Sequence, residues 1–126
     1  FTFFVLVMII SNGVKADPRQ DYLLWCSGCH LEDGSGLPSA VPDLRDTLGY
    51  LISKEGGRGY LVRVPGSSGT PLDNLELAKV INWLLEEFNS ETLPSNYTPM
   101  TSDEVRESRN KILMDPLKFR ASLIKK

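Results

Sequence analysis

Every cysteine and the single histidine of this chain lie in one pentapeptide, Cys26-Ser27-Gly28-Cys29-His30. Two intervening residues let one turn of backbone present both thiols, and His30 follows the second thiol directly. This Cys-x-x-Cys-His spacing is the attachment motif for c-type haem, in which the two thiols bind the vinyl groups of one macrocycle. His30 then falls where it can bind the iron as the proximal ligand. The pentapeptide therefore predicts one covalently held haem and a fold built around it.

Three other uses of the pentapeptide compete with haem attachment. A disulfide between Cys26 and Cys29 leaves His30 without a role. A thioredoxin-like redox pair is typical of a longer α/β chain with a strand before the motif. A zinc site needs four ligands, and the sequence holds no second Cys/His pair to supply them. The pattern favours haem over each of these.

The N-terminal segment predicts export. Residues 1–10 are almost wholly apolar, and Val14-Lys15-Ala16 places small or aliphatic residues before a cleavage point. Residues 1–16 are therefore interpreted as a secretory signal peptide, since the apolar run is shorter than the ~20 residues that a membrane helix needs. The alternative is a membrane anchor whose upstream part is missing. Haem is attached on the outer side of the energy-coupling membrane, so we expect a periplasmic or otherwise exported protein.

The length and net charge of the chain indicate how many domains and which classes of partner to expect. A chain of 126 residues is expected to form one domain. It carries 14 Lys and Arg against 16 Asp and Glu, a formal net charge of −2, and loss of Lys15 with the signal leaves 13 basic residues and about −3. This mildly acidic balance gives no support for nucleic-acid binding. We expect a membrane contact only if the N-terminal segment stays uncleaved.

Capping residues and apolar spacing predict an all-α fold. Asp17-Pro18 is typical of a helix start, and that helix runs into the pentapeptide. Residues 31–42, rich in Gly, Ser and Pro, predict a loop. Asp43 is expected to cap a helix through Ile52, and Gly56-Gly57 to end it or the turn after it. Tyr60-Leu61-Val62 is interpreted as a short extended segment.

The clearest helix follows Asp73, whose spacing to Glu76 predicts a capping box. Apolar residues then recur at i, i+3 and i+4, namely Leu77, Val80, Ile81, Leu84, Leu85 and Phe88. A linker is predicted over residues 89–99. Two further helices are predicted after it, one capped by Thr101 and Glu104 and reaching about Met114, the other running from Pro116 to Ile124.

This order of elements resembles a class I monohaem cytochrome c over residues 17–88, with residues 89–126 as a C-terminal linker and helical extension. The resemblance implies a cytochrome c-like helical fold around one haem. In that family a proline carbonyl after the motif accepts the second N–H of the proximal histidine, and Pro42 looks like its counterpart. An anchored N–H fixes the tautomer and makes the other ring nitrogen a better ligand. Arg58 is a candidate for contact with the haem propionates.

The sixth iron ligand is the point where the sequence departs from the family. The resemblance implies a methionine on the loop before the last core helix, but residues 63–71 contain none. Outside the signal the only methionines are Met100 and Met114. We predict Met100 as the second metal ligand beside His30, the alternative being an ordinary, half-buried linker residue. Without Met100 the iron is five-coordinate, or takes water, a lysine or Tyr97.

The resemblance implies an electron carrier rather than an enzyme. A haem with histidine and methionine ligands has no place for a substrate, and its redox partners meet it through small transient interfaces. We expect a periplasmic shuttle or the cytochrome subunit of a dehydrogenase, with a dehydrogenase, an oxidase or other cytochromes as partners. The alternative is a haem enzyme or gas-binding protein with an open distal site. The lack of a second histidine weighs against a peroxidase, because such an enzyme needs a distal acid–base group.

Overall fold

The computed structural model describes residues 17–125, so the predicted signal peptide lies outside the described residues. Over this range the chain forms helices and no strand, which confirms the prediction of an all-α fold. None of these helices is long and apolar enough to cross a membrane. In chain order they are α1 (Pro18–Trp25), α2 (Ser27–His30), α3 (Leu48–Ile52), α4 (Gly57–Arg63), α5 (Pro65–Ser68), α6 (Asn74–Asn89), α7 (Ser102–Arg109) and α8 (Pro116–Lys125).

Local capping signals set three helix starts where the sequence predicts them. A side-chain oxygen accepts a backbone N–H from the first turn in each case, and this satisfies a donor that the helix itself leaves without a partner. The capping residues are Asp17 before α1, Asp73 before α6 and Thr101 before α7. The last two form complete capping boxes with Glu76 and Glu104.

The segment after residue 56 is helical, and the prediction of a short extended segment at residues 60–62 was wrong. Tyr60, Leu61 and Val62 lie in α4, and all three side chains are buried. The first residue of the helix, Gly57, has to be glycine, because a Cβ at this position would collide with the carbonyl of Leu51. The packing of α4 on α3 therefore overrides the local preference of these residues for extended backbone.

The start of α3 also differs from the prediction. The carboxylate of Asp43 accepts the backbone N–H of Arg45 at 2.8 Å and binds its guanidinium, so it does not cap a helix. The helix begins at Leu48 instead. Its first turn is held by Asn89 of α6, whose Oδ1 accepts the N–H of Leu48 at 2.9 Å. A long-range hydrogen bond thus replaces the predicted local cap.

The helix that was predicted to reach about Met114 ends at Arg109. The chain then leaves the helix to run beside α4. The Leu113 N–H donates to the carbonyl of Arg63 at 3.2 Å, and the Arg63 guanidinium donates to the carbonyl of Lys111. These bonds to α4 replace further turns of α7.

The hydrophobic core surrounds α6. Its predicted apolar stripe from Leu77 to Leu85 is buried, and α1 crosses it at Tyr22, whose ring lies 5.2 Å from that of Trp83 and 5.6 Å from that of Phe88. Helices α3 and α7 also pack against α6. The C-terminal extension adds buried side chains to this same core, namely Met100, Val105, Leu113 and Leu123.

Candidate haem-attachment site

The pentapeptide forms one compact helical turn at the end of α1. The backbone N–H groups of Cys29 and His30 both donate to the carbonyl of Cys26, at 3.2 and 3.0 Å. Both thiols are free, with Cys26 half-buried and Cys29 exposed. Cys26 and the short α2 therefore present two unpaired sulfurs and one imidazole at positions 26, 29 and 30, the spacing that haem attachment requires.

The imidazole of His30 is anchored by the loop that follows it. Its Nδ1 lies 3.0 Å from the carbonyl oxygen of Pro42, which accepts the Nδ1–H and leaves Nε2 free. Burial lowers the pKa of His30, and the positive charge of Arg120 lowers it further, while the bond to Pro42 opposes this shift. The neutral imidazole is the form that binds metal.

The geometry of residues 31–42 places the Pro42 carbonyl. Leu37 and Val41 pair across a tight turn, and Gly36 adopts a left-handed φ of 70°. A Cβ on Gly36 would come within 2.6 Å of the Val41 carbonyl oxygen, so only glycine fits there. Tyr22 fixes the start of the loop by donating its hydroxyl to the Leu31 carbonyl at 2.6 Å. The sequence alone gives no signal for this role of Tyr22.

The thiol chemistry weighs against a redox-active cysteine pair. Burial, with a contribution from the negative charge of Asp21, raises the pKa of Cys26 to about 11. Reactive cysteines of disulfide oxidoreductases have a lowered pKa instead, because the thiolate is the nucleophile. Cys26 is thus held as a protonated thiol in apolar surroundings.

Large apolar side chains beside the pentapeptide are exposed. The exposed fractions are 48% for Trp25, 41% for Leu31 and 46% for Leu37. A flat hydrophobic macrocycle attached to the two thiols would bury apolar side chains of this kind. Two free thiols, an anchored imidazole and these exposed side chains together fit a covalently bound haem.

The structure places Arg58 away from the pentapeptide. Its guanidinium donates to the Glu104 carboxylate of α7 at 2.8 and 3.0 Å and to the Thr98 carbonyl at 2.9 Å. The two side chains are 29% and 40% exposed. The contact of Arg58 with haem propionates stays a prediction, and the pairing with Glu104 does not favour it.

Met100 is placed in the packing of the C-terminal extension. Its N–H donates to Asn82 Oδ1 at 2.7 Å, and its carbonyl accepts from Asn82 Nδ2 at 2.9 Å. The side chain is 4% exposed and lines a small cavity with Arg58, Gly59 and Val62 of α4. Its role as an iron ligand stays a prediction.

Two residues that organise the surroundings of the site were missed by sequence reasoning. Asn89 is fully buried and ties α6 to the start of α3. The sequence feature that could have revealed it is the position of this polar residue, four residues after Leu85 on the apolar stripe. Arg109 of α7 binds the carbonyls of the segment between α4 and α6, which are those of Ser68, Thr70 and Leu72. An arginine late in a polar helix gives no such signal.

Comparison with known proteins identifies the family. No family model matches the chain. Its sequence is similar to cytochrome c-552 of Thermus thermophilus, with 31% identity over 117 residues that cover 79% of this chain and 88% of the relative. A second cytochrome c-552, from a defined strain of the same species, is also 31% identical over 117 residues, which cover 78% of that protein. This relationship implies haem c, in agreement with the donor set of the pentapeptide. The chain therefore belongs to the family of c-type cytochromes.

Proposed function

We propose that this protein is an exported single-haem cytochrome that carries electrons between redox proteins. The observation that supports it best is the 3.0 Å contact between His30 Nδ1 and the Pro42 carbonyl, next to two free thiols at haem-attachment spacing. In this proposal Cys26 and Cys29 form the thioether bonds and His30 Nε2 binds the iron. Haem, when bound, supplies a reversible one-electron change.

The chain's own residues would keep the site rigid during that change. Pro42 fixes the ring orientation and tautomer of His30. Tyr22, packed between Trp83 and Phe88, holds the backbone directly after His30 in place. A ligand that does not move between oxidation states keeps the cost of electron transfer low.

The proposal extends to partner and compartment. A small, transient interface next to the haem-attachment site suits a redox partner. We propose a periplasmic shuttle or the cytochrome subunit of a dehydrogenase. The apolar residues 1–10 and the small residues before position 17 support export through a cleaved signal.

A haem enzyme or gas-binding protein remains the second candidate. The observation that favours it is the position of Met100, which is 4% exposed and held by Asn82 rather than next to the pentapeptide.

Expression with haem-attachment machinery tests the proposal. We expect the purified, denatured protein to have the mass of the chain plus one haem. It should titrate in a reversible one-electron step when monitored by visible absorption. The double change Cys26→Ala and Cys29→Ala should lose the covalent haem, because both thioether bonds are removed.

Ser27→Ala is the matched control, since it changes the same turn and leaves both thiols and the imidazole in place. It should keep the covalent haem. A disulfide-bonded, haem-free protein, or a haem that separates on denaturation, would contradict the proposal.

A further inference from the structure

We propose that Met100 is a packing residue, and that the described part of this chain leaves the iron position opposite His30 to a small neutral diatomic ligand of the carbon monoxide type. The inference rests on the proposed haem attachment through Cys26 and Cys29. It goes further by assigning an exogenous ligand class to a position that a methionine side chain was predicted to fill.

Met100 is fixed by both of its backbone groups. Asn82 accepts its N–H at 2.7 Å and donates to its carbonyl at 2.9 Å, and the Tyr97 hydroxyl bonds to the same amide at 3.2 Å. The capping box of α7 begins at the next residue, Thr101. A movement of Met100 towards another site would break these bonds and expose a side chain that is now 4% exposed.

Helix α6 separates Met100 from α1, the helix that leads into the pentapeptide. At 3.6 residues per turn, successive side chains are rotated by about 100°. Asn82, which binds Met100, therefore projects from the face of α6 nearly opposite to the face that Trp83 and Phe88 share. Those two rings contact Tyr22 of α1, and α1 leads directly into Cys26. Met100 thus lies on the other side of α6 from α1.

The segment between α4 and α6 offers no iron ligand in place of Met100. Residues 64–72 carry only aliphatic and hydroxyl side chains and glycine. Arg109 binds three of their carbonyls, those of Ser68, Thr70 and Leu72. The loop on which the family resemblance implies a methionine therefore lacks a soft ligand, and its backbone is tied to α7.

Three tyrosines and the second methionine of the described residues are also poorly placed to bind the iron. The hydroxyls of Tyr22 and Tyr97 donate to the Leu31 carbonyl and to Asn82, and Tyr60 is buried with its ring stacked on Phe119. Met114 is 97% exposed, so no protein wall holds its sulfur in a fixed position.

The chemistry of these surroundings favours a neutral ligand. Residues 64–72, on which the family resemblance implies the second iron ligand, include no charged side chain that would attract an anion. Ferrous haem with a histidine ligand and a free axial position binds diatomic molecules, and the polarity and access of that side decide which ones. Carbon monoxide is the probe of choice because it binds the ferrous form without being reduced or oxidised.

The experiment uses the purified holoprotein, in which mass spectrometry first establishes the covalent haem. The reduced protein is titrated with carbon monoxide, followed by visible absorption, and the oxidised protein is examined for the methionine-to-iron charge-transfer band. We expect carbon monoxide to bind and the band to be absent. Met100→Leu, which conserves volume, should leave the spectra and the carbon monoxide affinity unchanged.

A result that overturns this inference can be distinguished from one that overturns the proposed function. A wild-type protein that shows the methionine band and resists carbon monoxide would overturn the inference, and loss of the band in Met100→Leu or in Met114→Leu would identify the ligand. Wild-type binding of carbon monoxide needs no variant, so misfolding of a variant does not obscure the result. A protein without covalent haem would overturn the proposed function, and the inference with it, before any gas is added.

Discussion

At the scale of single residues, Asn89 shows how one buried amide can join three parts of the chain. Its Oδ1 accepts from Leu48 at 2.9 Å, and its Nδ2 donates to the carbonyl of Leu44 at 2.8 Å and to that of Leu84 at 3.3 Å. The side chain is fully buried, so water does not replace a lost partner. Asn89 therefore substitutes for the helix cap that Asp43 was expected to provide.

Asn89→Ala should lower the free energy of unfolding by about 2–4 kcal/mol, because it leaves buried backbone groups without partners and opens a small cavity. Chemical denaturation followed by circular dichroism measures the change. Asn96→Ala, at an exposed position of the linker, is the control and should have little effect. Equal stability of the two variants would show that the amide bonds of Asn89 contribute nothing.

At this scale the sequence points to candidate site residues only where chemistry fixes their spacing. Cys26, Cys29 and His30 follow from the geometry of haem attachment, and the family resemblance indicated Pro42, whose carbonyl lies 3.0 Å from His30. The role of Tyr22 was not predictable, because its hydrogen bond depends on where residues 31–42 turn.

At the scale of elements, the C-terminal extension acts on the middle of the chain through arginines and carbonyls. Arg109 of α7 binds the segment before α6, and Arg63 of α4 binds the segment before α8. Arg58 of α4 pairs with Glu104 of α7. Helix α7 is therefore bonded both to α4 and to the segment that follows α4.

Arg109→Lys should loosen residues 64–72, because a lysine ammonium cannot span three carbonyls as a planar guanidinium does. Hydrogen exchange followed by mass spectrometry should show faster exchange in that segment, with α6 still protected. Arg106→Lys on the same helix is the control, since the Arg106 side chain is 64% exposed and forms an ion pair with Asp103 at the helix surface. Unchanged exchange in residues 64–72 would show that Arg109 does not stabilise this segment.

The pairing of Glu104 with Arg58 predicts a dependence of stability on pH. The hydrogen bond from Arg58 lowers the pKa of Glu104 below its ordinary value of 4.5. The stabilisation is therefore complete above pH 4.5 and is lost as the pH falls through the lower pKa of the folded state. Glu104→Gln should destabilise the protein by up to about 1 kcal/mol at neutral pH.

The pH dependence is checked by denaturant unfolding at neutral and acidic pH. The difference between wild type and Glu104→Gln should shrink in acid, where both side chains are uncharged. Glu107→Gln, an exposed position on the same helix, should show no such trend. A difference that stays constant across the pH range would contradict the role of charge.

Element boundaries were predictable where a side chain caps its own helix. The boxes of Asp73 with Glu76 and Thr101 with Glu104 are encoded within four residues, so α6 and α7 start where expected. Helix α4 was missed because Tyr60, Leu61 and Val62 become helical through burial against other helices. A local pattern does not contain that information.

At the scale of the whole molecule, residues 17–88 and the extension share one core. The ring of Phe119 in α8 stacks on that of Tyr60 in α4 at 6.0 Å, and Leu123 is 2% exposed. Arg120 also reaches back to the Thr47 hydroxyl at 2.8 Å. The sequence indicated α8 but not its packing partners, because the pairing of helices distant in the chain is set by tertiary contacts.

Leu123→Ala should therefore destabilise the entire molecule by about 2–5 kcal/mol, the usual range for a cavity in a core. Circular dichroism and tryptophan fluorescence should shift to lower denaturant together, because α8 unfolds with the rest. Ile124→Ala is the control, since that neighbour is 53% exposed. Two separate transitions would show that the extension is an independent unit.

The bonds of Arg109 also bear on the order in which the protein acquires its structure. A chain is made from its N-terminus, so the pentapeptide and residues 64–72 exist before Arg109 does. Until α7 is complete, the carbonyls of Ser68, Thr70 and Leu72 have no guanidinium to bind. A growing chain therefore contains Cys26 and Cys29 before Arg109 can bind residues 64–72, so this segment gains its last hydrogen bonds only after the attachment motif has been made.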